Sequence, residues 1–83
     1  MTRDSLSIAT FISNWLKEQL EQDVELDANF GAVGMDSLDA VQLIDDLAQF
    51  LGVEELPISL ILDHPTTAEL ATHLADLPAE AVA

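Results

Sequence analysis

Apolar positions along the 83-residue chain fall into clusters separated by polar, glycine- or proline-bearing stretches. In the first cluster Ile8, Ile12, Trp15, Leu16 and Leu20 recur three and four apart, the spacing that lines one face of an α-helix. This predicts an amphipathic helix over residues 5–21, started by a Ser5 or Ser7 cap, with Trp15 packed in the core. Residues 22–36, QDVELDANFGAVGMD, carry Val24, Leu26, Phe30 and Val33 among Asp, Asn and Gly, without sustained alternation. They are expected to form a long loop pinned to the core by those four side chains. A loop of this length in a small domain often carries function.

The pattern turns helical again at Ser37 and holds to Leu51, with Gly52 placed as a C-terminal cap. At 100° per residue, Ala40, Leu43, Ile44, Leu47 and Leu51 share roughly 100° of arc and form the buried stripe. Leu38 and Val41 fall off that stripe, beside Asp45, while Asp39, Gln42 and Asp46 cover the other flank. Apolar knobs among acids, with no basic residue nearby, have the composition of a docking surface; the alternative is two singly exposed apolar residues of the ordinary kind. Asp36 suits the cap position, because its carboxylate accepts from free amides at the positive end of the helix dipole. Gly34 allows a backbone conformation that other residues resist. Ser37 is left in the first turn, hydroxyl towards solvent, where nothing structural demands a serine.

Residues 57–62, PISLIL, predict one or two helical turns laid over the core. The last helix opens after Pro65, where Thr66 and Glu69 have capping-box spacing, and buries Leu70, Leu74 and Leu77. The expected fold is all-α, a small bundle of three principal helices plus one short helix. It fills a single domain over 1–83, with its core at about 5–77 and a flexible tail at 78–83.

Charge narrows the partners. Arg3 and Lys17 face 16 acidic residues, a net charge of −14, and no Lys or Arg follows Lys17. Nucleic acid is excluded, since phosphate binding needs clustered cations; partners with basic surfaces are favoured and would be steered at long range. There is no cysteine, hence neither disulfide nor thiolate metal site. The N-terminal stretch lacks the apolar segment of a signal peptide, and no apolar run reaches the ~20 residues that span a bilayer. A cytoplasmic monomer is expected.

Catalytic readings find little support. Ser37 is not in a G-x-S-x-G turn, and His64 and His73 build no triad with it. The acidic loop does not match an EF-hand, and two histidines nine apart are weak zinc ligands, so no catalytic or metal residue is assigned.

The residues around Ser37 do carry a resemblance. Gly34-Met35-Asp36-Ser37-Leu38 resembles the Gly-x-Asp-Ser-Leu signature of acyl carrier proteins. Phe30-x-x-Val33-Gly34 is similar to the family's approach to its serine, and Asp36-Ser37-Leu38-x-x-Val41-x-Leu43 to its second helix. Leu56-Pro57 and Asp63-His64-Pro65-Thr66 look like the brackets of the short third helix in polyketide-synthase carriers. The resemblance covers about residues 6–77 and implies an acyl-carrier-type bundle without catalysis of its own. By it Ser37 is the attachment point for 4′-phosphopantetheine, transferred from coenzyme A by a phosphopantetheinyl transferase. The arm's thiol then holds acyl groups as thioesters for polyketide or fatty-acyl biosynthesis. Asp36, Leu38, Asp39, Val41, Asp45 and Asp46 become the docking residues for basic patches on the transferase, acyltransferase, ketosynthase or other acyl-processing enzymes. Phe30, Leu43, Ile44, Leu47, Ile58, Leu62 and Leu70 would line an acyl chain sheltered between helices; the alternative is a closed core with the chain in solvent.

Two features depart from the family pattern. Gln42 stands where many members have Glu, and Ile44-Asp45-Asp46 where carriers inside large synthases often bear Arg. With the Met start, the acidic helix favours a discrete carrier; a domain cut from a larger synthase stays open. A peptidyl or aminoacyl carrier is the nearest alternative. An acidic helical adaptor without a prosthetic group is the alternative from another class.

Overall fold

A computed structural model describes residues 4–76. Leu77 and the expected tail at 78–83 lie outside the described residues. Four α-helices follow in order: α1 Ser5–Leu20, α2 Ser37–Leu51, α3 Ser59–Asp63 and α4 Thr67–Asp76, with a 3-10 turn, Phe30–Val33, between the first two. The expected bundle of three principal helices and one short helix is therefore the observed one.

The core is the meeting of the helical stripes. Ile8, Ile12 and Leu16 of α1, Leu43 and Leu47 of α2, and Leu70 and Leu74 of α4 are fully buried. The α2 stripe is as expected, widened by Ala48. Trp15 is buried too, and its indole N–H donates to Asp46 Oδ2 at 2.6 Å, tying α1 to the middle of α2.

The start of α1 differs from expectation. The cap is Asp4, whose carboxylate accepts from the Ser7 backbone N–H at 2.8 Å. Ser5 and Ser7 already lie inside the helix, so neither side chain is placed to accept from an amide two or three residues ahead at its N-terminus. The Ser7 amide holds the Asp4 carboxyl below its ordinary range. At the other end Glu21, not Gly, takes the left-handed position, with φ 55°.

The long loop is held by its backbone more than by its side chains. Ala68 N–H donates to Leu26 O at 2.9 Å, and Phe30 N–H to Pro65 O at 2.8 Å, the latter beside an isolated antiparallel bridge between Asn29 and Thr66. Of the four expected pins only Phe30 is buried; Val24 and Val33 are half-buried, and the Leu26 side chain is exposed. The strand-like pairing with the α3–α4 link was invisible in the sequence because its two sides lie 37 residues apart, 66 − 29.

Residues Leu60 and Ile61 turn α3 onto the core, while Ile58 and Leu62 face outward, 45% and 78% exposed. Thr66 caps α4 as expected: its Oγ1 accepts from Glu69 N–H at 3.1 Å. The return bond is a variant, since Glu69 Oε2 accepts from the Thr66 hydroxyl at 3.2 Å. Next to it Thr67 is fully buried, and among the described residues its hydroxyl has no hydrogen-bond partner.

Candidate functional site

The site is built by a turn, a cap and a helix start. Gly34 ends the 3-10 turn with φ 98°, and its N–H donates to Gly31 O at 3.3 Å. A Cβ at Gly34 would meet nothing within 4 Å, so the demand for glycine there is conformational and not spatial. Met35 N–H then donates to Phe30 O at 3.1 Å, and the chain reaches Asp36 in extended geometry.

Asp36 caps α2 as its position suggested. Its Oδ1 accepts from Asp39 N–H at 2.9 Å, and Asp39 Oδ2 accepts in return from Asp36 N–H at 3.4 Å. This is a capping box built with Asp at its third position. Periodicity and the family resemblance put Asp39 on an exposed docking flank; the Asp-x-x-Asp spacing is the signal for its capping role.

With the cap supplied by its neighbour, Ser37 is the first residue of α2, exposed, and its hydroxyl bonds to no described residue. Ser37 borders a groove of about 490 Å³. Phe30 and Met35 come to it from the loop, Ala40 from α2, and Ile61, Leu62 and Pro65 from α3 and its exit.

The expected docking residues divide. Leu38 and Val41 are 67% and 46% exposed, with Asp36 and Asp45 exposed around them. Asp39 and Asp46 are half-buried, and each gives one oxygen to a structural bond, Asp39 to the cap and Asp46 to Trp15. The expected acyl-lining residues divide as well. Phe30 and Leu62 border the groove beside Ser37. Leu43, Ile44, Leu47 and Leu70 are closed in the core, and Ile58 lies at the surface.

Sequence spacing alone did not bring the two histidines together. His64, at the end of α3, and His73 of α4 stack with ring centroids 4.1 Å apart. Among the described residues neither ring is hydrogen-bonded to Ser37, and no group of three or more His, Cys, Asp or Glu is placed to hold a metal ion. Among the same residues no helix is long and apolar enough to cross a membrane.

Comparison with known proteins adds to this geometry. A family profile described as "Phosphopantetheine attachment site" matches residues 7–74, which include the whole of the turn, the cap and Ser37. The pikromycin polyketide synthase component PikAII of Streptomyces venezuelae is 39% identical over 69 residues, 83% of this chain but 2% of that protein. The chain thus spans a small fraction of the curated relatives it matches. Among solved structures, a free-standing peptidyl carrier protein from Acinetobacter baumannii is 25% identical at a TM-score of 0.79, over 88% of this chain and 94% of that one. BlmI, a type-II acyl carrier protein of Streptomyces verticillus involved in bleomycin biosynthesis, shares the fold at a TM-score of 0.75 with 23% identity, over 83% of each chain.

Proposed function

The chain belongs to the phosphopantetheine attachment-site family, and we propose that it is a carrier whose Ser37 hydroxyl holds 4′-phosphopantetheine for polyketide or fatty-acyl assembly. The observation that carries this reading is Ser37 itself: exposed, unbonded, at the start of a helix whose cap is supplied by another residue. The groove that Ser37 borders gives the attached group a place to lie, so the residues fit it. When attached, the arm supplies a terminal thiol for thioester linkage, a group that this cysteine-free chain lacks. The chain's own contribution is position. In the loading reaction the Ser37 oxygen bonds to the pantetheine-bearing phosphorus of coenzyme A's pyrophosphate, the bridging P–O bond breaks to release adenosine 3′,5′-bisphosphate, and the hydroxyl proton passes to the transferase.

Partners meet the exposed start of α2. Leu38 and Val41 are the apolar anchors, Asp36 and Asp45 the charged ring, with the free oxygens of Asp39 and Asp46 as lesser contributors. Basic patches on a phosphopantetheinyl transferase, an acyltransferase or a ketosynthase complement this face. Small, charge-steered contacts suit a carrier that visits each enzyme briefly. The domain is a single carrier unit acting as a cytoplasmic monomer, itself without catalysis. Similarity to a polyketide synthase component favours the polyketide reading; likeness to a peptidyl carrier supports aminoacyl cargo as the second reading.

Incubation with a phosphopantetheinyl transferase, magnesium and either malonyl- or aminoacyl-coenzyme A, followed by a ketosynthase assay on the malonyl form and a peptide-bond-forming condensation assay on the aminoacyl form, separates the two. Turnover of the malonyl form alone supports polyketide assembly, and turnover of the aminoacyl form alone supports the peptidyl reading. Absence of any mass gain with several active transferases rejects both and favours an acidic adaptor.

A further inference from the structure

We infer that Trp15 is a positioning residue for partner docking: its buried indole fixes one oxygen of Asp46, so that the other stands ready for a single basic side chain of the partner. This rests on the docking face proposed above and adds to it a residue buried beneath that face.

A surface carboxylate ordinarily turns freely, and a contact with it must first order it. Asp46 is already ordered. The Trp15 indole N–H donates to its Oδ2 at 2.6 Å, a short bond of the kind made to a charged acceptor. Trp15 is itself gripped by the core, at 8% exposure, so the donor cannot follow the carboxylate outward. Oδ1 accepts from no described residue. No cation of the fold competes for it either, since the one ion pair among the described residues joins Lys17 to Asp23.

The occupied oxygen sets the chemistry of the contact. A guanidinium fork needs both carboxylate oxygens. With one taken, Asp46 accepts a single N–H, from a lysine or from one arm of an arginine. Gln42 and Gln49, one turn before and after Asp46, are exposed amides, so this charge is read without a like charge on either side along its row.

Position gives the contact a use. At 100° per residue Asp46 lies about 80–140° round α2 from Leu38, Val41 and Asp45, and roughly 13–14 Å along the helix from Ser37. A helix held only at Leu38 and Val41 is free to roll about its axis. A fixed acceptor on the other flank stops that roll and so sets the direction in which Ser37 is presented.

The test is steady-state loading of the full chain by a phosphopantetheinyl transferase with coenzyme A and magnesium. Trp15→Phe should raise the KM for the carrier about two- to tenfold, the cost of ordering one free side chain, with kcat unchanged. Asp46→Asn, whose amide oxygen still accepts from the indole while its NH₂ faces the partner, should raise KM at least as far. Combining the two should add nothing to Asp46→Asn alone, because Trp15 acts only through the carboxylate. In NMR spectra of nitrogen-labelled carrier, the resonance of the chain's one indole N–H should shift on saturation with unlabelled transferase, and shift less in Asp46→Asn. If either single variant loads like the wild type, if the two effects multiply, or if the indole resonance stays in place, the inference is overturned. Circular dichroism checks the fold of each variant; should Trp15→Phe not fold, Asp46→Asn and the indole resonance decide alone. A wild-type chain that does not load overturns the attachment itself, and this inference with it.

Discussion

Asp36 and Ser37 are adjacent and do different work. Asp36 closes the helix end through Asp39 N–H, so Asp36→Ala should cost about 1 kcal/mol of stability in urea unfolding, the usual worth of a lost N-cap. Ser37→Ala should stay within about 0.5 kcal/mol, as exposed positions away from caps and cores do, because its hydroxyl bonds to no described residue. If the two variants unfold alike, the division between cap and attachment point is wrong. Thr67 is the opposite kind of residue, a buried hydroxyl without a partner among the described residues. Thr67→Val keeps the shape and removes the orphan, and should raise stability by about 1 kcal/mol, since an unsatisfied buried group costs roughly 1–3 kcal/mol. A loss on thermal or urea melts would mean that the hydroxyl is satisfied in solution.

Helices α1 and α2 are joined by one directed bond in addition to their apolar faces, Trp15 N–H to Asp46. Asp46→Ala should cost about 1–2 kcal/mol by leaving a buried indole donor unpaired. Asp46→Asn, which retains an acceptor, should cost less and change Trp15 fluorescence little. Equal losses in both would place the value of Asp46 in its charge. Most element boundaries could be read from the chain because the residues that set them are local. Asp36 and Gly52 bracket α2, and Thr66 with Glu69 opens α4, within spans of three residues or one turn. What escaped reading was either a competition among similar residues or a contact with a distant one. Two serines stood beside the true cap, Asp4. Phe30–Val33 is too short for any period to show. The bond from Trp15 crosses 31 positions, so an acid that looked free for partners is half engaged by the fold. At the site, Ser37 was readable because the cap residue was identifiable beside it; the groove was not, because it joins a loop to a helix some thirty residues away.

Across the whole molecule the charge of −14 acts in two directions. The one ion pair among the described residues, Lys17 with Asp23 at 3.6 Å, is exposed on both sides and offsets little of it. Added salt screens self-repulsion in the folded chain and, beyond about 8–10 Å, attraction to a basic partner. Raising sodium chloride should therefore raise the melting temperature while weakening transferase binding. A binding affinity indifferent to salt would remove electrostatic steering from the account. The carrier role itself is tested by loading the chain with a phosphopantetheinyl transferase and coenzyme A, then locating the added mass by peptide fragmentation. The predicted result is a single phosphopantetheinyl group on the peptide GMDSLDAVQL, at Ser37, absent from Ser37→Ala although that variant remains folded. An unmodified chain in the presence of active transferases, or a group found on any other residue, would contradict it.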